Sequence, residues 1–111
     1  MNPQRGDVPV TIAGTTYTMR PSFEALAAIE EKTGLGLVAL WRRFGQQEFG
    51  ARDVVSVIAE GVRAGEGKVP DKLAALIIQT GLFTLAPSVA KFLTHALAGE
   101  KAEGNGEAVA E

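Results

Sequence analysis

Two apolar periods run along this chain, one after the other. In the segment Val8–Ile12, Val10 and Ile12 alternate with Thr11, and over 16–20 Tyr17 and Met19 alternate with Thr16 and Thr18. A period of two on both sides of a glycine predicts a β-hairpin. Gly14 supplies the positive φ that a tight primed turn needs. A Gly14-Thr15 loop sets Ile12 opposite Tyr17 and Val10 opposite Met19. An Ala13-Gly14 loop keeps the same partition of apolar residues from threonines, and a three-residue loop breaks it. Pro9 has no N–H for a ladder, so its strand is at an edge or turns its nitrogen outward. A hairpin alone is marginal in water, so this one must lie on helices.

After Pro21 the period changes to three and four. Ser22 is placed as an N-cap and Glu24 favours the positive end of the helix dipole. Phe23, Leu26 and Ile29 form the apolar stripe of a first helix, with Gly34 at its C′ position. Leu37, Leu40, Trp41 and Phe44, at i, i+3, i+4 and i+7, predict a second helix over 37–44, followed by a loop over 45–50. A third helix over 51–64 turns Val54, Val55, Ile58 and Val62 inward and Arg52, Ser56, Glu60 and Arg63 outward. Gly61 inside it costs about 1 kcal/mol relative to alanine, which implies close backbone packing. Gly65-Glu66-Gly67 reads as a connector. A fourth helix starts at Val69-Pro70-Asp71 and ends near Thr80-Gly81, with Leu73, Leu76, Ile77 and Thr80 on its core face. Thr84 is placed to cap a fifth helix running to 98, with Pro87 in its first turn, where proline is tolerated.

The predicted fold class is α+β, mostly α: an N-terminal β-hairpin packed on four to five short helices. The expected organisation is a flexible N-terminus over 1–7, a single domain over 8–98 and a disordered acidic tail over 99–111. The expected core holds Tyr17, Phe23, Leu26, Ile29, Leu40, Trp41, Ile58, Leu76, Ile77 and Leu93.

Composition narrows the function. A length of 111 residues suits one domain. The chain has no cysteine, which excludes a disulfide framework and a thiolate metal site. The formal charge is −2, and the four Glu and one Lys over 100–111 leave the body close to neutral. A body without a basic stripe is a poor phosphate binder, so nucleic acid is not an expected partner. The Arg42-Arg43 pair reads as a solvated helix face. No run approaches the roughly 20 apolar residues of a membrane span, and 1–7 lacks the apolar run of a signal peptide, so no membrane partner is expected.

Candidate chemistry is sparse. His95 is the single histidine and reads as a surface side chain without partner ligands. Glu30 and Glu31 are adjacent on a helix and do not face each other. The Gly-x-Gly pairs at 34–36 and 65–67 lack the Lys-Ser/Thr of a phosphate loop. Trp41 at helical spacing reads as core. The third and fourth helices carry no basic face to read a groove. No catalytic, cofactor-binding or metal-ligating residue is assigned, and an enzyme is not expected.

The most telling segment is 73–98, where Lys91 is the sole formal charge. So small a core is not expected to bury all of Leu73, Ile78, Leu82, Phe83, Leu85 and Phe92. Ile78, Leu82, Phe83 and Phe92 are the candidate partner-binding residues, for a client or for self-association.

Two stretches carry a family resemblance. One runs from Arg20-Pro-Ser-Phe through Ile29-Glu-Glu-Lys-Thr-Gly34 to Trp41-Arg-Arg. The other, from Arg52-Asp53 to Gly65, has the form Val-x-x-x-Gly-x-x-x-Gly. With the hairpin, these resemble a family of small tail proteins of gene transfer agents and of prophages with long non-contractile tails. Its members are described as tail assembly chaperones and sometimes labelled tail tube proteins. The likeness covers about 8–65 and departs at Gly50-Ala51, where a Ser or Thr cap is expected. The resemblance implies a helper in the host cytoplasm that keeps the helical tape measure protein soluble until tube subunits polymerise around it. The implied partners are the tape measure protein and the tail tube protein. The alternative it leaves open is a structural, tube-associated component retained in the virion.

Overall fold

The computed structural model describes residues 6–99. The segments 1–5 and 100–111, which hold most of the expected flexible N-terminus and acidic tail, lie outside the described residues. The element order is β1 (Val8–Ile12), β2 (Thr15–Met19), α1 (Phe23–Thr33), α2 (Leu37–Gly45), α3 (Ala51–Glu66), α4 (Leu73–Thr80) and α5 (Leu82–Ala98). The architecture is therefore α+β and mostly α, with an N-terminal hairpin followed by five helices.

The hairpin closes on Ala13-Gly14, with φ of 50° and 86°. Both central residues of this primed turn need positive φ. A Gly14-Thr15 loop would force that conformation on β-branched Thr15, where it is a genuine outlier. In the resulting register Val10 faces Tyr17 and Val8 faces Met19. Ala13 N–H donates to Thr80 Oγ1 at 2.9 Å, tying the turn to the end of α4.

α3 is the central element. It packs on β2, α1, α4 and α5. Contacts on several sides bury not only Val54, Val57, Ile58 and Val62 but also Ser56 and Glu60, two residues expected to face outward. The helix runs on through Gly65 to Glu66, where a connector was expected, and Gly67 ends it at φ 86°. Its N-terminus lacks a Ser or Thr, but Asp53 takes over. The Asp53 carboxylate accepts the Gly50 N–H at 2.8 Å, supplying one of the two bonds of a capping box.

The two glycines of α3 face β2. A Cβ on Gly61 would stand 2.9 Å from Met19 Cβ, and one on Gly65 would stand 2.2 Å from the Thr18 carbonyl oxygen. This closeness lets the helix serve the strand's outer edge. Arg20 N–H donates to the Gly61 carbonyl at 2.9 Å, and Thr18 N–H donates to Glu66 Oε2 at 2.7 Å.

The remaining differences from expectation follow from packing direction. Phe23 is 80% exposed. α1 meets α3 through Ala25 and Ile29, a face rotated away from its first residue. Trp41 lies on the flank of α2 and is 42% exposed, with its indole N–H donating to Thr94 Oγ1 at 3.0 Å. Tyr17, Leu26 and Leu76 are half-buried, and Ile29, Leu40, Ile58, Ile77 and Leu93 are buried. α5 begins at Leu82, so Pro87 lies inside it. Its missing N–H leaves the carbonyl of exposed Phe83 without the helical bond of an ordinary turn.

The glycine contact yields a stability prediction. Alanine at an open helical site gains up to about 1 kcal/mol over glycine. Gly65→Ala instead drives a methyl into a backbone carbonyl and is expected to lose about 1–3 kcal/mol in urea denaturation. Gly45→Ala, where a Cβ meets nothing within 4 Å, is expected to be neutral or slightly stabilising. A Gly65→Ala protein as stable as the wild type would refute this account of the strand–helix contact.

Candidate functional site

Two surfaces stand out as candidate sites, one polar and one apolar. The polar one is a cleft between the start of α1 and α3, lined by Arg20, Ser22, Glu24, Glu60 and Arg63. Its cations are matched. Arg20 donates twice to the buried Asp7 carboxylate, each bond 2.9 Å. Asp7 is thus tied at the head of β1 to the residue that follows β2. The Asp7 hydrogen bond outweighs the effect of burial, and with the Asp7 charge it raises the Arg20 pKa. Glu60 is buried and receives Lys32 from α1 and Arg63 from its own helix. Burial alone would push the Glu60 carboxyl up, but these two cations together hold it below its ordinary value. The Lys32–Glu60 pair braces α1 against α3, and the Arg20–Asp7 pair ties the head of β1 to the residue after β2. With Glu24 on the lining, the three cations face three carboxylates.

The apolar surface lies at the corner where α4 and α5 meet at 111° across Gly81. Gly81 adopts φ 110° and ψ 128°, a conformation that suits glycine. The turn after α2 brings Phe49 to this corner. Phe49 stacks on Phe44 with centroids 4.7 Å apart and meets the Phe83 ring edge-on at 6.1 Å. Gln47, Phe49, Leu82, Phe83 and Thr84 line an open cleft there. Phe83 is 76% exposed, Ile78 is 55% exposed, and Leu82 is half-buried.

Three of the four sequence candidates, Ile78, Leu82 and Phe83, thus lie on one stretch of chain across the α4–α5 corner. Phe92 does not join them. It is fully buried with Leu85 and Val89 on the inner face of α5, close against Gly61. The small core does absorb Leu73, Leu85 and Phe92, because the glycine face of α3 leaves room for a large ring. Sequence reasoning missed Phe49, whose only signal was an aromatic residue in an otherwise polar loop.

His95 is also placed differently from expectation. It is buried, with Nδ1 3.3 Å from the Gly6 carbonyl oxygen, and so links α5 to the start of the described chain. Among the described residues no group of three or more His, Asp or Glu could hold a metal ion. Among the described residues, no single helix is long and apolar enough to cross a membrane.

The corner thus presents exposed apolar side chains, and no charged residue lines its cleft. Residues 5–99 match the family described as phage tail tube protein, GTA-gp10, and this chain belongs to that family. It is a tail protein of the kind found in phages and gene transfer agents. No curated protein and no solved structure matches it.

The brace around Glu60 sets an acid limit on stability. A carboxyl with a depressed folded-state pKa contributes in full above its unfolded value and loses that contribution as pH falls through the folded value. Thermal stability is therefore expected to drop below the ordinary carboxyl value of 4.5. Glu60→Gln is expected to lower the melting temperature at neutral pH and to flatten this acid limb. An acid limb of unchanged slope in Glu60→Gln, measured by circular dichroism melts, would remove Glu60 from the account.

Proposed function

We propose that this protein is a tail assembly chaperone that holds helical segments of the tape measure protein in the host cytoplasm before tail tube subunits assemble around them. The observation that carries the reading is the exposed aromatic corner of Phe49, Leu82 and Phe83, with Ile78 beyond it on α4. An amphipathic helix docks on such a surface by burying its apolar face, and the buried area supplies the affinity.

A second reading, a structural component kept in the finished tail, has the family's tail tube description in its favour. Against it stands the economy of the sheet. A tube subunit needs strand edges for ring closure, and among the described residues two five-residue strands are available. The β2 edge is served by Gly61 and Glu66, β1 carries Pro9 in its middle, and the N–H of the turn residue Ala13 is bonded to Thr80.

Phe83→Asp tests the chaperone reading. The side chain is exposed, so the variant is expected to keep its circular dichroism spectrum and melting temperature while losing co-purification with the tape measure protein. A folded Phe83→Asp protein that still holds its client would move the client elsewhere. Mass spectrometry of purified tails addresses the second reading: the chaperone is expected to be missing, and stoichiometric amounts of the chain would make it structural.

A further inference from the structure

α5 holds a proline where a helix loses by it. Pro87 lies beyond the first turn of α5, in which proline would be tolerated. Inside a helix, proline removes one hydrogen bond and its ring presses on the carbonyl four residues back. Here that carbonyl belongs to Phe83. Pro87 is exposed, so its ring is not kept for the core. A cost retained at an exposed position points to a use.

Residues four apart share a helix face. The Phe83 and Pro87 rings therefore lie on the same outer side of α5, and the Phe83 carbonyl is directed along the axis from one towards the other. Phe83 is also the exposed ring of the corner. A partner that covers this ring and its neighbour comes down over the carbonyl between them. In water the oxygen accepts from solvent. Under a partner it needs a donor, because a covered acceptor left unpaired weakens binding. The surrounding charge decides which donor fits. No charged residue lines the cleft; Glu48, next to Phe49 in sequence, is not part of the lining. α4 carries no formal charge, and Lys91, the sole one on α5, is eight residues from Phe83, about 12 Å along the axis. A cationic donor buried here would have no counter-charge. We propose that Pro87 is a specificity-determining residue of the corner. It withholds the helical donor from the Phe83 carbonyl, and the corner thereby selects a client helix with a neutral donor, Ser, Thr, Asn or Gln, set among its apolar contacts. The proposal rests on the chaperone reading for its client, the tape measure protein.

Pro87→Ala and Pro87→Val each restore the N–H, and valine keeps an apolar side chain close to proline in size. Both variants of the full chain are expected to melt about 4 °C or more above the wild type, since a helical bond is regained. Each is then set to compete with differently tagged wild type for co-expressed tape measure protein. Both are expected to be recovered with it about fivefold less well, because the carbonyl is no longer free to accept from the client. Melting temperatures at or below that of the wild type overturn the proposal without any client. Equal competition by Pro87→Val overturns it as well, since the ring contact alone then explains any loss in Pro87→Ala; equal competition by Pro87→Ala does the same. Those results leave the chaperone reading standing where folded Phe83→Asp, run beside them, loses the client. A wild type that holds no tape measure protein, or a folded Phe83→Asp that still holds it, overturns both.

Discussion

The close approach of β2 to α3 is the contact on which the rest of this structure depends. With side chains at 61 and 65, the helix and the strand could not come this near, because a Cβ at Gly65 would overlap the Thr18 carbonyl. With glycines there, the helix supplies a hydrogen-bond acceptor to Arg20 and, through Glu66, another to Thr18. Those bonds satisfy a strand edge that would otherwise need a third strand or water. A two-stranded hairpin, marginal alone, thereby becomes a wall of the core.

Putting α3 at the centre has electrostatic consequences. Surrounded by β2, α1, α4 and α5, it has little solvent face left for Ser56 and Glu60. A buried carboxylate must be paired or protonated. Glu60 is paired with Lys32 and Arg63, and Asp7 is paired in the same manner with Arg20. The Lys32–Glu60 pair joins α1 to α3 and the Arg20–Asp7 pair joins the two ends of the hairpin, so burial and charge pairing brace the same joints. Removing one member of a buried pair strands the other, which makes these ion pairs matter more than exposed ones would.

The same arrangement decides what remains outside. α5 spends its inner face on the core through Leu85, Val89, Phe92 and Leu93, and its outer flank keeps Phe83 and Leu97. The α4–α5 corner at Gly81 and the turn carrying Phe49 concentrate aromatic surface at one end of the domain.

The amino-acid sequence by itself determined the local elements. The alternation of Val10, Ile12, Tyr17 and Met19 specified a hairpin. Ser22 capped α1 and accepts the Ala25 N–H at 3.1 Å, and Gly34 ended it at φ 76°. The glycine at 61 announced a close contact, and the charge-poor stretch 73–98 announced exposed apolar groups. Which groups these are was decided only in three dimensions. A helical period reports that one side is apolar. It does not report how many neighbours the helix has, or how its axis is rotated against them. α3 has neighbours on several sides, so Ser56 and Glu60 go in. α1 turns its alanine face to α3, so Phe23 stays out. α5 meets the glycine face of α3, so Phe92 fills the core while Phe83 does not. His95 looked like an isolated surface histidine because its partner, the Gly6 carbonyl, lies at the far end of the sequence. Local patterning is set by bonds and sterics within a few residues. Burial is set by which elements meet, and that is a property of the assembled chain.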